Sequence, residues 1–309
     1  MPNKKILLIG GYGFLGCNIL KWADDNLVDI DFTVLSSIRT ITNHEKFSCV
    51  KEEFFGDFGD DLFLKNVFLN NEYDYVFHCL TATTPVNSNT AIVRDIECNL
   101  INTIRLLEII KNTNAILVFF SSGGAIYGNS EAIKHKVDDT PRPISSYGIV
   151  KNTIEHYIRM FNNLYGLRYL ILRISNPYGY FHKSKTQGLI NVAIAKCLKN
   201  EPIEIWGDGE NVKDYIFSQD IPPIIFSLLR EKIINTTLNI GSGEGTSINL
   251  ILSLIKKIHP TLQVVYRESK SHDVKDFILD INPLKDFKPA TPLVTGIVNT
   301  YEWYSNKNS

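Results

Sequence analysis

Two side chains of one predicted helix could do acid–base chemistry together. Tyr147 and Lys151 are four residues apart in the run SSYGIVK, so both project from the same helix face. A phenol with a pKa near ~10 exchanges protons poorly at neutral pH, and a nearby ammonium group stabilises the phenolate and lowers that pKa. Tyr147 could then exchange a proton with a sugar or alcohol oxygen, while Lys151 binds a cofactor ribose. Solvated helix faces also carry such pairs, so this one needs support from the rest of the chain.

A glycine-rich turn near the N-terminus provides that support. Residues 4 to 9 form a short apolar run typical of a strand buried on both faces, and the run GGYGFLG follows directly. Gly10, Gly13 and Gly16 permit a tight turn, a close approach to a pyrophosphate and close helix packing. The helix that follows, starting with Phe14 and Leu15, offers N–H groups and a positive dipole end to phosphates. The turn therefore predicts dinucleotide binding, although three glycines alone could form only a turn.

The end of the second predicted strand bears on which dinucleotide is bound. NAD-binding units of this kind place an acidic residue there to bind the adenosine ribose, but this chain has Ser36, Ser37 and Arg39. Hydroxyl groups and a guanidinium would bind a 2′-phosphate that a carboxylate would repel. We therefore predict NADPH, with NAD as the alternative; a solvated loop carrying one arginine would look the same. Asp57 and Phe58 follow the third strand and are expected to meet the adenine, unless Asp57 is only a cap.

Apolar runs recur along the first half of the chain, separated by segments long enough for crossover helices. They cover residues 4–9, 32–35, 73–79, 116–120 and 169–172, and the longest crossovers, 89–111 and 146–165, have amphipathic helical patterns. This alternation predicts an α/β fold with a Rossmann-type, doubly wound parallel sheet.

Pro and Gly become more frequent after about residue 176, and isolated helical patterns lie among loops. We therefore predict a cofactor-binding domain over residues 1–175, to which 213–241 returns. A smaller, discontinuous α/β substrate lobe is predicted over residues 176–212 and 242–309.

Composition excludes several classes of protein. The 309 residues contain 32 Lys and Arg against 33 Asp and Glu, a formal charge of -1, so the basic footprint of a nucleic-acid-binding protein is missing. No apolar run approaches the roughly 18 to 20 residues that span a bilayer. The five cysteines are odd in number and widely spaced, which predicts neither disulfides nor a metal site. A cytoplasmic location is expected.

Several motifs, taken in order, resemble those of the extended short-chain dehydrogenase/reductase family, in its nucleotide-sugar epimerase, dehydratase and reductase branch. The resemblance covers nearly the whole chain and is more specific for the branch than for the reaction. Besides the glycine turn and the Tyr-x-x-x-Lys pair, the motifs are DYVFH at 74–78, Asn99 with Thr103, FSSGGAIYG at 120–128, RISNPYG at 173–179, WGDG at 206–209 and KDYI at 213–216.

The resemblance implies a further hydroxyl at the catalytic site. Family members usually place a Ser or Thr four residues before the Tyr of the Tyr-Gly motif, where it hydrogen-bonds the reacting sugar oxygen. That position is Gly123 here, so Ser122 is the expected substitute, unless it only closes a turn. Ser121 is the weaker candidate because alternation along the strand turns it to the other face.

The resemblance also implies a nucleotide-sugar substrate and residues that bind it. Contacts to the phosphates are expected from Asn176, from Lys213 in place of a common Arg, and from Lys270 or Arg267. Lysine replaces arginine as a point charge but not as a bidentate fork. Val192 and Trp206 are expected to line the nucleobase pocket, although both could equally be core. A homodimer through the two long crossover helices is common in the family and is expected here.

The leading functional hypothesis is an NADPH-dependent reductase of a 4-keto nucleotide sugar. The first substrate to consider is dTDP-4-keto-6-deoxyglucose, reduced at C4 to a dTDP-6-deoxyhexose, with Tyr147 as proton donor and Ser122 polarising the carbonyl. The alternative is an NAD-dependent UDP-hexose 4-epimerase, and an alternative of another class is a non-catalytic dinucleotide sensor. A dehydratase is disfavoured because Gly124 and Ala125 stand where that group has an Asp-Glu pair for proton transfer.

Overall fold

The chain folds around one large sheet. The computed structural model describes residues 3–26, 28–38, 45–128, 132, 134–184, 186–268, 276–284, 287 and 289–308. The strands, in chain order, are β1 (Lys4–Ile9), β2 (Ile30–Ser36), β3 (Val50–Phe55), β4 (Tyr75–His78), β5 (Ile116–Ser122), β6 (Lys134–His135), β7 (Arg168–Ile174), β8 (Asn176–Tyr178), β9 (Ile203–Trp206), β10 (Val212–Phe217), β11 (Thr236–Ile240), β12 (Gly245–Ser247), β13 (Val264–Arg267) and β14 (Ile278–Leu279).

Helices connect most of these strands. The α-helices are α1 (Phe14–Asp25), α2 (Asp61–Leu69), α3 (Ile92–Asp95), α4 (Asn102–Ile110), α5 (Gly123–Ile126), α6 (Ser146–Tyr165), α7 (Leu189–Cys197), α8 (Ile221–Arg230), α9 (Ile248–Ile258) and α10 (Leu293–Asn308). Short 3-10 helices cover Ser88–Thr90, Ser218–Asp220 and Asn282–Leu284, and a π-helical segment covers Ile96–Ile101. Among the described helices, none is both long and apolar enough to cross a membrane.

Seven parallel strands form the large sheet in the order β11-β7-β5-β4-β1-β2-β3. The prediction of a Rossmann-type, doubly wound parallel sheet is confirmed. The chain winds outward in opposite directions from β1, towards β2 on one side and β4 on the other. In open α/β sheets, ligands bind at the carboxyl ends of the strands where the order reverses in this way. The fold therefore places a binding crevice above β1 and β4.

Alternate residues of β1 explain how both faces of the sheet are covered. Ile6 and Leu8 are fully buried against the face that carries α1 and α8. Leu7 and Ile9 are fully buried on the other face, together with the apolar sides of α2, α4 and α6. A strand buried on both faces must be apolar throughout, which is why β1 appears in the sequence as a continuous apolar run.

The two long crossovers differ in regularity. The second crossover, α6, has the predicted limits, and the hydroxyl of Ser145 caps it by accepting from the backbone N–H of Gly148. The first, predicted as one helix over residues 89–111, is instead divided into α3, the π-helical segment and α4. Polar side chains buried within it explain the irregularity, since the Thr103 hydroxyl donates to the carbonyl of Asn99 at 2.5 Å.

A second, smaller unit lies beside the carboxyl ends of the large sheet. It contains the three-stranded sheet β12-β10-β8, the pair β9-β13 and the helices α7, α9 and α10 around a core of their own. Of the segment predicted to return, 213–241, α8 and β11 pack in the large unit, whereas β10 pairs with β8 and β12. We retain the division into a cofactor-binding domain and a substrate lobe as a proposal.

Candidate active site

The glycine turn ends β1 and begins α1. Gly10 has a φ of +81°, and a Cβ atom there would lie 2.9 Å from a backbone nitrogen of the loop after β4. On Gly16, a Cβ atom would lie 2.3 Å from a carbonyl oxygen of the turn, so only glycine lets α1 approach this closely. Gly13 caps α1 without a side-chain hydrogen bond, which leaves the first turn, at Phe14 and Leu15, open to an anion. The turn fits the pyrophosphate of a dinucleotide.

Tyr147 and Lys151 face the same crevice from the first turns of α6. The Lys151 ammonium donates to a backbone carbonyl of β5 at 2.8 Å, and its nitrogen lies 5.8 Å from the centre of the Tyr147 ring. Ser122, the last residue of β5, lies beside the Tyr147 phenol, where its hydroxyl can hydrogen-bond the phenolate. The Ser121 hydroxyl instead donates to the carboxylate of Glu155, two turns beyond Tyr147 on α6, at 2.7 Å. The structure therefore brings Ser122, and not Ser121, to the tyrosine.

Burial controls the protonation of these groups. It raises the pKa of Tyr147 to about 12, opposed by the hydrogen bond from Ser122 and reinforced by the charge of Asp95. Burial also lowers the pKa of Lys151 to about 8, and it lowers that of His78, on β4, to about 3. The expectation that Lys151 brings the Tyr147 pKa towards neutrality is not met in the protein alone. The loss of hydration on burial outweighs the attraction of an ammonium group that is bonded to a carbonyl.

The end of β2 carries hydroxyl groups and no carboxylate. Ser36 is buried and Ser37 is exposed, while Arg39 lies outside the described residues. Asp57 accepts a hydrogen bond from the backbone N–H two residues later at 2.8 Å, which holds the loop after β3. The ring of Phe58 is buried on the histidine at the end of β4, so Phe58 can offer a ligand its backbone only. NADPH specificity stays a prediction.

A cleft of about 550 Å³ joins the crevice to the smaller unit. Its floor contains Leu15, Ser122, Tyr147 and Lys151, and Asn176 lies on its wall. The amide of Asn176 donates to a backbone carbonyl of β10 at 2.8 Å, which fixes the side chain towards the cleft.

Glycine opens the cleft beside the catalytic pair. A Cβ atom on Gly124 would make only ordinary contacts, 3.6 Å from the amide oxygen of Asn176. The floor there consists of backbone, so the space above it is available to a substrate. The Asp-Glu pair of the dehydratases would stand at this residue and the next, and neither side chain is present.

The residues predicted to bind substrate do not all reach the cleft. Lys213 and Trp206 line it, and the Trp206 side chain is 42% exposed. Lys270 lies outside the described residues. Arg267 pairs with Glu204 at 2.7 Å, and Glu204 itself lines the cleft. Val192 lies on α7, whose cleft-lining residues are the preceding Leu189 and Ile190.

Several cleft-lining residues were missed in the sequence, among them Asn211 and Tyr215. Asn211 immediately precedes β10 and Tyr215 lies on it, two residues before and two residues after Lys213. The signal that could have found them is the period of two in a strand, which places residues i and i+2 on one face. In the described part of the chain, no group of three His, Cys, Asp or Glu side chains could hold a metal ion.

Proton-transferring side chains thus face the crevice whose backbone turn suits a dinucleotide. That arrangement defines a dinucleotide-dependent enzyme of the Rossmann class. Residues 6–241 match the model of the NAD dependent epimerase/dehydratase family, and the chain belongs to that family. The resemblance to the extended short-chain dehydrogenases/reductases is confirmed.

Relatives of the chain extend over its full length. A putative UDP-glucose 4-epimerase of Methanocaldococcus jannaschii is 32% identical over 98% of this chain and 99% of its own. A dTDP-glucose 4,6-dehydratase of Xanthomonas campestris is 27% identical over 96% of this chain and 92% of its own. The crystal structure of UDP-glucose 4-epimerase from Thermotoga maritima, with UDP-glucose, superposes with a TM-score of 0.89 at 29% identity, covering 99% and 100% of the two chains. The function is therefore of the nucleotide-sugar epimerase/dehydratase type.

Proposed function

We propose that the protein is an NAD-dependent 4-epimerase of a nucleotide hexose, with UDP-hexoses as the first substrates to test. The observation that carries the proposal is the placement of the Ser122 hydroxyl and of Lys151 beside the Tyr147 ring at the floor of one cleft. This group offers one proton-transfer residue and one orienting hydroxyl to a single sugar oxygen. With a nicotinamide cofactor to exchange the hydride, oxidation and reduction at one carbon require no further acid–base residue. The names of the Methanocaldococcus relative and the Thermotoga structure support the same reaction.

Each residue of the site would have a separate role in epimerisation. A bound nicotinamide cofactor supplies hydride exchange, and the glycine turn with Lys151 would hold its phosphates and ribose. In its phenolate form, Tyr147 would take the proton from the C4 hydroxyl of the sugar and later return it. Ser122 would hydrogen-bond the same oxygen and fix its orientation. Lys213 and Asn176 would bind the phosphates of the nucleotide sugar at the far end of the cleft.

Space in the cleft favours an epimerase. An epimerase must present both faces of a 4-keto sugar to the same cofactor, so the sugar needs room to turn. Gly124 leaves the floor open beside Tyr147. The positions at which a dehydratase carries its acidic pair are Gly124 and Ala125, neither of which can transfer a proton. We therefore rank a dehydratase below both other reactions.

A second candidate is the NADPH-dependent reduction of a 4-keto nucleotide sugar such as dTDP-4-keto-6-deoxyglucose. The observation that favours it is the end of β2, where Ser36 and Ser37 stand in place of a ribose-binding carboxylate. The raised pKa of Tyr147 also suits a proton donor, because the phenol is protonated at neutral pH. A reductase would consume NADPH stoichiometrically, whereas an epimerase recycles its cofactor.

One experiment separates the two candidates. The purified protein is incubated with UDP-glucose or UDP-galactose and catalytic NAD, and in parallel with 4-keto nucleotide sugars and NADPH. Interconversion of the UDP-hexoses without net change in nicotinamide absorbance supports the epimerase. Loss of NADPH absorbance that depends on the keto sugar supports the reductase and overturns the first proposal. Tyr147→Phe serves as the inactive control in both arms.

We also propose a homodimer through the two crossover helices. Apolar side chains are exposed on α3 and the π-helical segment, as at Val93 (68%), and on α6, as at Ile149 (52%) and Leu164 (63%). These helices pack side by side on one face of the molecule. A second copy of the same surface would cover these side chains from water.

A further inference from the structure

A buried carboxylate lies behind the catalytic tyrosine. Asp95 ends α3 and is completely buried. One of its oxygens accepts from the Thr83 hydroxyl at 2.6 Å and from the Asn99 amide at 2.7 Å, and the other accepts from the Ser146 hydroxyl at 2.7 Å. All three donors are neutral. The charge of Asp95 is therefore stabilised by hydrogen bonds rather than by a directly bonded lysine or arginine of the described residues.

These hydrogen bonds join three segments that surround the active site. Thr83 belongs to the loop after β4, in which Thr81 and Pro85 line the cleft. Asn99 belongs to the π-helical segment, and its amide oxygen accepts from the backbone of the same loop at 2.8 Å. Ser146 is the first residue of α6 and immediately precedes Tyr147. One carboxylate thus connects the substrate-facing loop to the turn that carries the catalytic phenol.

We propose that Asp95 is a positioning residue, which fixes the first turn of α6, and with it Tyr147, against the cleft-lining loop. This role rests on the proposed function, because it presumes that Tyr147 transfers the proton. An apolar side chain in place of Asp95 would leave the Ser146 and Thr83 hydroxyls without this acceptor. The carboxylate satisfies both at once, and its two oxygens set the separation of the segments.

The charge of Asp95 gives this role a measurable signature. It raises the pKa of Tyr147 and of Lys151, the two titratable groups of α6 that face it. The other groups around that pair are His78 and Cys79 at the end of β4, and Glu155 two turns further along α6. Replacing Asp95 by a neutral amide should therefore lower both pKa values. Removing only the Ser146 hydroxyl, which donates to Asp95, should leave them unchanged.

The kinetic test compares three variants. Asp95→Asn keeps the size of the side chain but cannot accept all three hydrogen bonds, and we expect kcat to fall roughly 10- to 100-fold with KM little changed. Ser146→Ala removes the hydrogen bond that joins Asp95 to α6 and should lower kcat about tenfold. The matched control is Ser121→Ala, which also removes a hydroxyl 2.7 Å from a buried carboxylate, that of Glu155, but leaves the Tyr147 turn attached. Its kcat should stay within about threefold of the wild type.

A second measurement needs no substrate. The phenolate absorbance of each protein is titrated and the titration of its Tyr147→Phe partner is subtracted, which isolates Tyr147. The pKa of Tyr147 should fall in Asp95→Asn and stay unchanged in Ser146→Ala. An unchanged pKa in Asp95→Asn, or a kcat equal to that of Ser121→Ala, overturns the proposal. If the wild type converts no nucleotide sugar, the proposed function fails, and the titration still decides whether Asp95 acts on Tyr147.

Discussion

The hydroxyl of Ser122, the last residue of β5, lies beside Tyr147, where it can hydrogen-bond the phenolate. The family pattern would place this hydroxyl one residue later, at Gly123. A Cβ atom on Gly123 would lie 2.8 Å from the buried side chain of Leu279, so a serine there could not fit without moving the core. Ser122 thus offers a hydroxyl one residue earlier, and Gly123 accommodates the side chain of Leu279 on β14.

This geometry predicts a strong difference between two adjacent serines. Ser122→Ala should lower kcat about tenfold or more, because a hydrogen bond to the reacting group is lost. Tyr147→Phe should lower it roughly 10²- to 10⁴-fold, with cofactor affinity preserved. Ser121→Ala is the control, since that hydroxyl is bonded to Glu155, two turns beyond Tyr147 on α6. Steady-state kinetics test this, and equal effects of the two serine variants would assign Ser122 a structural role only.

The buried ammonium of Lys151 predicts a pH-dependent stability. Its pKa is about 8 in the folded protein against 10.5 for an ordinary lysine, so the unfolded chain binds the extra proton between these values and stability rises with pH there. Lys151→Met lacks this dependence. The free energy of unfolding of the variant, minus that of the wild type, should decline by about 2–3 kcal/mol between pH 7 and pH 10.5.

Urea unfolding at several pH values measures that difference. Lys21→Met is the control, because Lys21 is partly exposed in a surface pair with Asp25 and its replacement removes no buried charge. A difference for Lys151→Met that stays constant with pH would mean that Lys151 is not buried as described.

The end of β2 predicts cofactor preference. If Arg39 binds the 2′-phosphate, Arg39→Ala should weaken NADPH roughly 10- to 100-fold and leave NADH unchanged. Ser36→Asp should act in the same direction by repelling that phosphate. Fluorescence titration with both cofactors is the measurement. A wild type that binds NADH as tightly as NADPH would remove the argument for the reductase.

The ion pair beneath the active site predicts a stability difference between two arginines. Arg173 contacts the fully buried Glu155 at 2.8 Å and is itself buried, whereas Arg159 contacts the same carboxylate at 2.8 Å from a partly exposed position. Arg173→Met leaves a buried charge poorly compensated and should cost about 3–5 kcal/mol. Arg159→Met should cost at most about 1 kcal/mol. Chemical denaturation compares the two, and similar costs would contradict this division.

The exposed apolar surface predicts the oligomeric state. Val93→Asp and Leu164→Asp should shift a dimer towards monomer, because a carboxylate would be buried unpaired at the interface. Leu69→Asp is the control, since Leu69 is 72% exposed at the end of α2, away from these helices. Sedimentation velocity distinguishes the species. A wild type that sediments as a monomer at all concentrations would contradict the proposed interface.

Local patterns predicted the parts of the structure that local forces determine. The limits of α6 follow from the Ser145 cap and the amphipathic run after it, and β1 follows from its continuous apolar residues. The division of the first crossover does not, because its buried polar side chains bond to other segments of the chain, as Asp95 does to Ser146, 51 residues away. The pairing of β9 with β13 is equally non-local. Such contacts form only when the fold brings distant segments together.

The candidate site shows the same limit in its electrostatics. The sequence identified Tyr147, Lys151 and the glycine turn as site residues because their spacing is local. It could not predict the raised pKa of Tyr147, because that pKa depends on burial, and burial depends on every segment packed around the residue. The contribution of Asn211 and Tyr215 to the cleft was readable from strand alternation once β10 was recognised.

The path of the chain between its two sheets has a consequence for how the molecule can be divided. The backbone leaves the large sheet at β7, enters the small one at β8 after a single residue, Ser175, returns through α8 to β11, and leaves again towards β12. Neither sheet is one continuous stretch of polypeptide. A single proteolytic cut therefore cannot release either sheet intact. Joining two gene fragments at one point likewise cannot replace one sheet with the corresponding sheet of a related protein. The proposed cofactor and substrate sites therefore cannot be separated by dividing the chain at one point.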